Sequence, residues 1–388
     1  MNIVLKLKDF AFILLAFAIP LSVALTNILI ILFSLLWIIE GDFMKKIFRT
    51  SSTNWFVSIL LLSFLYLLGL TYGDYHSDYF YVLKRILLLF FFIPVLTSRL
   101  SKETINKSIN FFLFANLLAA SVALLINYNV IPSFFETASI SAFLKYNYHN
   151  ILLSFSSLLS FLLYIKSNHK YSFLYLILIL IFSFSIFTEA GRAGQLTFNL
   201  FFLLFAAYYI KKHTKESIFL LIFLVFVNFF SYSNSPIFKH RVDHLTHIVQ
   251  NDGKKKNKKN QEKDIRYVFA GSAKELILEK PIFGYGTGSF SDVFRKSSNT
   301  SYDLKKHKTP HNNYLYILFE LGLLGLFVFL SIFYFQIKEL LHKNKHNQEV
   351  ILLPLFMIVL MFFDSYMFIF SITIFYIFMY KIFKIIFN

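Results

Sequence analysis

Long apolar runs alternate along the chain with short polar stretches, and most runs approach the roughly 20 residues that a helix needs to cross a bilayer. They fall at 55–72, 80–98, 108–127, 149–165, 171–187, 195–210, 216–232, 313–335, 350–365 and 367–385. One further apolar region extends from Phe10 to Ile39. It is longer than one span and short for two, and Pro20 with the polar pair Thr26-Asn27 interrupts it, so the pattern predicts a helical hairpin. The expectation is an all-α polytopic membrane protein of about twelve transmembrane helices, nine over 1–232 and three over 313–388, with one large loop over 233–312.

Charge orients this array. With twelve spans, one side collects Lys6 and Lys8; Lys45, Lys46 and Arg49; Arg99, Lys102 and Lys107; Lys166 and Lys170; Lys211, Lys212 and Lys215; Lys338, Lys343 and Lys345; Lys381 and Lys384. The short loops of the other side hold only Lys145 and Arg192. Cytoplasmic loops retain Lys and Arg during insertion, so the first side and both termini are expected in the cytoplasm and the large loop outside. Were Phe10–Ile39 a single helix, every downstream loop would flip against that rule. The region is also too long for a signal h-region, and no cleavable signal peptide is expected.

Composition agrees with this picture. The chain has 57% hydrophobic, 20% aromatic and only 15% charged residues, which excludes an ordinary soluble enzyme. Its net charge of +17 belongs to the cytoplasmic loops and to one lysine-rich stretch, so membrane lipids are expected partners and nucleic acid is not. Cysteine is absent, which excludes disulfides, cysteine-ligated zinc and a thiol nucleophile.

The large loop changes character twice. Asn251 to Lys263 is charged and free of apolar residues, and reads as a solvated excursion or a patch attracted to anionic head groups. From Asp264 to Leu278 the apolar residues Ile265, Val268, Phe269, Ala273, Leu276 and Ile277 recur every three or four positions, which predicts an amphipathic helix opened by Arg266. Pro281 stops it, and Gly284, Gly286 and Gly288 follow in alternation, either as a turn or as a place where backbone approaches a ligand or another backbone. His311-Asn312 stands at the mouth of the tenth span and precedes Gly322 and Gly325. A histidine at the water–lipid boundary can exchange protons near neutral pH or be a plain interface residue, and the glycine pair suits close helix packing. Between the seventh and eighth spans the turn Thr188 to Gln195 carries Arg192 on the outer side, where the charge rule disfavours it. The compact outer set Asp74, His76 and Asp78 is a metal-ligand candidate that reads equally well as an ordinary acidic loop. Lys84 and Arg85 lie just inside the fourth span, where they either snorkel to the interface or extend an anion site inward.

His311, Asn312, Gly322 and Gly325 resemble the signature of the O-antigen ligase family of bacterial envelope glycosyltransferases: His, then Asn, Ser or Gln, nine residues, Gly, two residues, then Gly, Thr or Tyr. Arg266 through Pro281 to Phe290 is similar to that family's Arg, helix, Pro, Gly-x-Gly-Thr-Gly-x-Phe segment. Gly191-Arg192-Ala193-Gly194 resembles its short Arg-Gly/Ala turn, although Glu189-Ala190-Gly191 stands where a small hydroxylated residue is usual. The resemblance implies a GT-C-like fold in the bacterial inner membrane with its active site facing the periplasm. It implies transfer of a glycan from undecaprenyl diphosphate to a sugar hydroxyl of lipid A-core, without a metal or other cofactor. Arg192 and Arg266 are then the diphosphate-binding and catalytic cations, because the departing lipid diphosphate gains negative charge. His311 is the base for the acceptor hydroxyl or a further diphosphate contact, and Asn312, Gly322, Gly325, Gly284, Gly286 and Gly288 support the site.

Two related activities share these motifs, O-antigen polymerase and protein O-oligosaccharyltransferase. A lipid-glycan flippase or transporter is the rival from another class. It calls for mid-membrane ionisable residues and broken helices, for which Glu320 and Asp364 are the nearest candidates.

Overall fold

The computed structural model describes residues 2–51, 53–73, 77–134, 141–167, 170–251, 273–297, 307–343 and 347–386. Among them the secondary structure is helical with no strand. The helices are α1 Asn2–Ala18, α2 Val23–Ile39, α3 Phe43–Ser51, α4 Asn54–Tyr72, α5 Tyr79–Leu89, α6 Phe92–Thr97, α7 Lys102–Asn127, α8 Tyr146–Lys166, α9 Phe173–Thr188, α10 Arg192–Tyr209, α11 Thr214–Asn234, α12 Pro236–Asn251, α13 over 273–279, α14 Phe290–Ser297, α15 Asn313–Lys343, α16 Leu352–Leu360 and α17 Phe370–Ile386. Six helical stretches among the described residues are long and apolar enough to cross a membrane: Asn54–Tyr72, Tyr79–Thr97, Lys102–Asn127, Tyr146–Lys166, Thr214–Asn234 and Asn313–His342. The predicted 80–98 run is divided between α5 and α6. Pro94 has no amide to bond the Phe90 carbonyl, which instead accepts the tighter i+3 bond from Ile93 N–H.

The chain forms two compact units: residues 1–12, 29–105 and 262–388 make the first, and 13–28 with 106–261 the second. The interrupted apolar region forms two helices, and in the first unit residues 2–12 of α1 lie against 29–39 of α2, with Lys8 bonding Glu40 at 2.7 Å and the Phe12 and Phe33 rings 5.8 Å apart. Burial disfavours a charge on Glu40, but hydrogen bonds from Lys46 and Lys8 outweigh it and hold the carboxyl below the ordinary glutamate value. Helix α4 runs antiparallel to α15, shown by Trp55 Nε1 donating to Glu339 Oε2 at 2.8 Å and by Ser58 meeting Ser331 at 2.7 Å farther along. Rings of Trp55, Phe92, Tyr376 and Tyr380 fill the space against α17 with centroids 5.2–6.3 Å apart.

Helix α8 is the core of the second unit. It is buried continuously from His149 to Leu162, and its small Ser154, Ser156, Ser157 and Ser160 let neighbouring backbones approach. Asn150 packs under α10, where Gly191 and Gly194 leave room that a Cβ would fill. Asn199 and Asn228 exchange side-chain amide bonds of 3.1 and 2.8 Å between α10 and α11.

Candidate functional site

The glycine-rich motif of the first unit is a seam between a loop and a broken helix. Gly322 lies inside α15 with φ 64° and ψ −163°, outside the helical region and open essentially to glycine alone. The break frees the Phe319 and Glu320 carbonyls, which accept from the Tyr285 and Gly286 amides at 3.0 and 2.9 Å. On the other side Leu323 and Leu324 donate to the Pro281 and Ile282 carbonyls at 2.8 and 3.3 Å. The backbone groups exposed by the break are therefore satisfied by 281–286, as burial at membrane depth demands. Gly284, Gly286 and Gly288 have φ of 68°, 92° and 75°, and a Cβ at each would overlap the backbone of α15, α4 and Tyr79 respectively. Gly288 N–H donates to Glu320 Oε1 at 3.0 Å, so the buried acid of α15 also holds the loop. Gly325 has no positive φ, and its absent side chain leaves room for Leu321 on the turn before it.

His311 stands at the end of this frame. Asn312 caps α15, its Oδ1 accepting from Tyr314 and Leu315 N–H at 2.9 and 3.1 Å, and its Nδ2 reaches the Phe362 carbonyl at 3.2 Å. The cap leaves His311 just outside the helix in the left-handed region, φ 54°, a conformation rare for a residue with a side chain. His311 Nδ1 lies 3.0 Å from Asp364 Oδ1, and Nε2 lies 3.1 Å from Nδ1 of His307. An ionised carboxylate only accepts, so Asp364 assigns a proton to His311 Nδ1; in the neutral ring Nε2 is then the acceptor and His307 Nδ1–H the donor. This is the arrangement of a base held by an orienting acid.

Beside it Lys308 Nζ donates to Asp78 Oδ1 at 2.7 Å and sits 5.5 Å from the centre of the Tyr81 ring. The Arg85 guanidinium lies over the same ring at 5.3 Å, with its buried Nε making no hydrogen bond. Lys84 is exposed near Phe80 and Tyr81. Asp74 and His76 of the metal-ligand candidate lie outside the described residues; the remaining carboxylate, Asp78, is already bonded by Lys308 and by Ser291 Oγ at 2.6 Å.

Arg192 belongs to the second unit, at the exposed start of α10. The turn before it is fixed through its carbonyls. Asn150 Nδ2 donates to those of Ile186 and Gly191, and Gln195 Nε2 to those of Ile186 and Glu189, all at 3.0–3.3 Å. Glu189, the departure from the expected small residue, accepts from Asn127 Nδ2 and Ser141 Oγ at 2.9 and 2.8 Å and so anchors the turn. Arg241 of α12 closes it by donating to the Ala190 carbonyl at 2.6 Å. Arg266, the lysine-rich stretch and the first half of the predicted amphipathic helix lie outside the described residues; α13 carries its end, with Ala273 and Leu276 buried. The structure thus joins His311 to Asp364 and His307, and Arg241 to the turn that carries Arg192, within their separate units. The sequence pattern offers Asp364 only as one of the nearest candidates for a mid-membrane ionisable residue. It gave no sign of His307, Lys308 or Arg241.

Residues 150–330 match the family model described as O-antigen ligase. The chain is 28% identical over 262 residues to the O-antigen ligase of Salmonella typhimurium, covering 63% of this chain and 59% of that protein. It is 43% identical over 70 residues to a protein of Rickettsia typhi named as a polysaccharide ligase, 16% of this chain and 17% of that one. A protein of the same description from Rickettsia conorii is 36% identical over 81 residues, 19% and 20% of the two chains. The matches therefore span less than two thirds of each of these relatives.

Proposed function

Because residues 150–330 of this chain match the family model described as O-antigen ligase, we propose that the protein is a member of that family, an inner-membrane glycosyltransferase moving a glycan from undecaprenyl diphosphate to a sugar hydroxyl of lipid A-core. The observation that carries this reading is the Asp364–His311 pair at the capped start of α15. Asp364 keeps the His311 proton on Nδ1, and Nε2 takes the proton of the acceptor hydroxyl as its oxygen bonds to the anomeric carbon. The bond from that carbon to the diphosphate oxygen breaks, and undecaprenyl diphosphate departs with the electron pair. His307 Nδ1 is bonded to Nε2, so the hydroxyl takes its place or reaches Nε2 through it.

The charge that develops on the leaving diphosphate calls for cationic forks, the role we assign to Arg192 and Arg266. Arg85, with an unbonded Nε beside Tyr81, extends the cationic lining of the His311 face. An apolar groove of about 540 Å³ lined by Leu68, Tyr72 and the 280–284 turn suits the lipid part of a substrate. Twelve spans, cytoplasmic termini and a periplasmic active site complete the reading, and transfer is metal-independent: excess chelator leaves the rate of purified protein unchanged.

The deciding experiment is the lipopolysaccharide profile of a deletion strain. Ligase loss leaves core-only lipopolysaccharide while polymerised lipid-linked glycan accumulates. Core bearing at most one repeat would mark a polymerase, and unchanged lipopolysaccharide with unglycosylated envelope proteins a protein O-oligosaccharyltransferase. The broken α15 and the buried Glu320 are features that a transporter would also have, but here the break is sealed by 281–286 and Glu320 Oε1 holds Gly288.

A further inference from the structure

The second unit contains a cation that neither the motifs nor the comparisons single out. Arg241 is half-buried on α12, the first helix of the large loop, and reaches back to the turn that carries Arg192. Its Nη2 donates to the Ala190 carbonyl at 2.6 Å and its Nη1 more weakly to Gln195 Oε1 at 3.4 Å. These anchors lie two residues before Arg192 and three after it. We propose that Arg241 is the second guanidinium of a phosphate-binding pair, gripping together with Arg192 the phosphoryl oxygens of a lipid diphosphate.

Three observations support the pairing. The first is that no carboxylate pairs with Arg241 among the described residues; Glu189, the nearby acid of the turn, accepts through Oε1 from Asn127 and Ser141 instead. Burial, and then the positive charge of Arg192, pull the Arg241 guanidinium below its ordinary range. Two cations held in one corner repel each other, and an anion between them turns that cost into attraction. The second concerns geometry. The hydrogen bonds of Arg241 use two of five N–H donors and fix the plane of its fork, leaving the other three for planar, two-point recognition of phosphate. The third is rigidity. The carbonyls of Ile186, Glu189, Ala190 and Gly191 are all bonded, and Gly191 and Gly194 lie directly on Asn150, so the turn is set before the ligand arrives. The choice of a lipid diphosphate rests on the glycosyltransferase reading, whereas the pair itself recognises phosphate of any source.

The test uses the full chain in nanodiscs of zwitterionic lipid, titrated with undecaprenyl diphosphate at several salt concentrations. Undecaprenyl monophosphate, inorganic pyrophosphate and nanodiscs containing phosphatidylglycerol form parallel arms. The expected result is that Arg241→Gln weakens diphosphate binding by about ten- to a hundred-fold, the loss of one charge-assisted contact, and flattens its salt dependence. A residue that merely clamps the turn would leave the salt dependence unchanged. Wild-type binding of undecaprenyl diphosphate that Arg241→Gln retains within about two-fold overturns the pair and leaves the glycosyltransferase reading intact. Binding of pyrophosphate or phosphatidylglycerol that depends on Arg241, with none of the lipid diphosphate, keeps the pair and overturns that reading. Absence of binding to every phosphate ligand overturns both. If Arg241→Gln does not accumulate in the membrane, Arg241→Lys decides, because it keeps the charge and loses the fork: diphosphate affinity within about two-fold of wild type refutes the proposal.

Discussion

Replacing Asp364 with Asn tests whether His311 acts through an orienting acid. The substitution keeps the shape of the side chain and removes its charge. His311 sits at φ 54°, a left-handed conformation that costs a residue with a Cβ about 1–2 kcal/mol. Its 3.0 Å contact with Asp364 is a hydrogen bond to a charged group, worth about 1.5–3 kcal/mol, which covers that strain. A neutral amide offers about 0.5–1.5 kcal/mol, so the margin vanishes. The amide can also donate to Nδ1, and that favours the tautomer in which Nε2 carries the proton and cannot accept another. Loss of a working base costs about 10²–10⁴ in rate, so Asp364→Asn is expected to lower initial transfer by at least about a hundred-fold. The assay uses purified protein with a lipid-diphosphate-linked glycan and lipid A-core, alongside His311→Ala and the double variant. If the two residues act as one unit, the double variant is no slower than His311→Ala. An Asp364→Asn rate within about three-fold of wild type, or a double variant reduced by the product of the single effects, refutes the orienting role.

Other features make separate predictions. Gly322→Ala places a side chain at φ 64° against the Ile282 carbonyl, adding about 1–3 kcal/mol of strain to the cost of a collision; its melting temperature in detergent should fall well below that of Gly41→Ala, whose φ of 82° adjoins open space. Asn312→Ala removes the cap of α15 and should lower stability by about 0.5–2 kcal/mol, with Asn312→Asp recovering most of it; equal losses in both would exclude capping as the cause. Glu40 has a lowered folded value, so its contribution to stability is complete above the ordinary glutamate value of 4.5 and disappears as pH falls through the lower folded value. The melting advantage of wild type over Glu40→Gln should accordingly shrink below that pH and hold steady above it.

The helical architecture was legible because the bilayer imposes it. The predicted 55–72, 149–165 and 216–232 runs correspond to α4, α8 and α11 within a few residues, since apolar length and charged ends are local properties. The hairpin from Phe10 to Ile39 followed from an interruption in the same pattern. The division of the fourth run at 90–91 was missed because apolarity is continuous there and only Pro94 breaks the backbone ladder. At the site, His311 and the glycines were visible as a spacing, but their roles were not. The spacing of Gly322 suits close packing or support of the site, whereas in the structure it breaks the helix, and the partners that make the break tolerable lie some 40 residues earlier at 281–286. Asp364 reaches His311 across 53 positions, and Arg241 reaches Ala190 across 51. Such pairings depend on tertiary fold, and no periodicity encodes them.

The bonds that fasten 281–286 to α15 are made almost wholly by peptide groups, which every residue type except proline supplies alike. Exposed side chains such as Ile282 and Phe283 can therefore drift, and with them the lining presented to a lipid or sugar, while the attachment persists as long as the glycines stay. A fastening blind to side-chain identity lets the rim above it be rewritten without loosening the seam beneath.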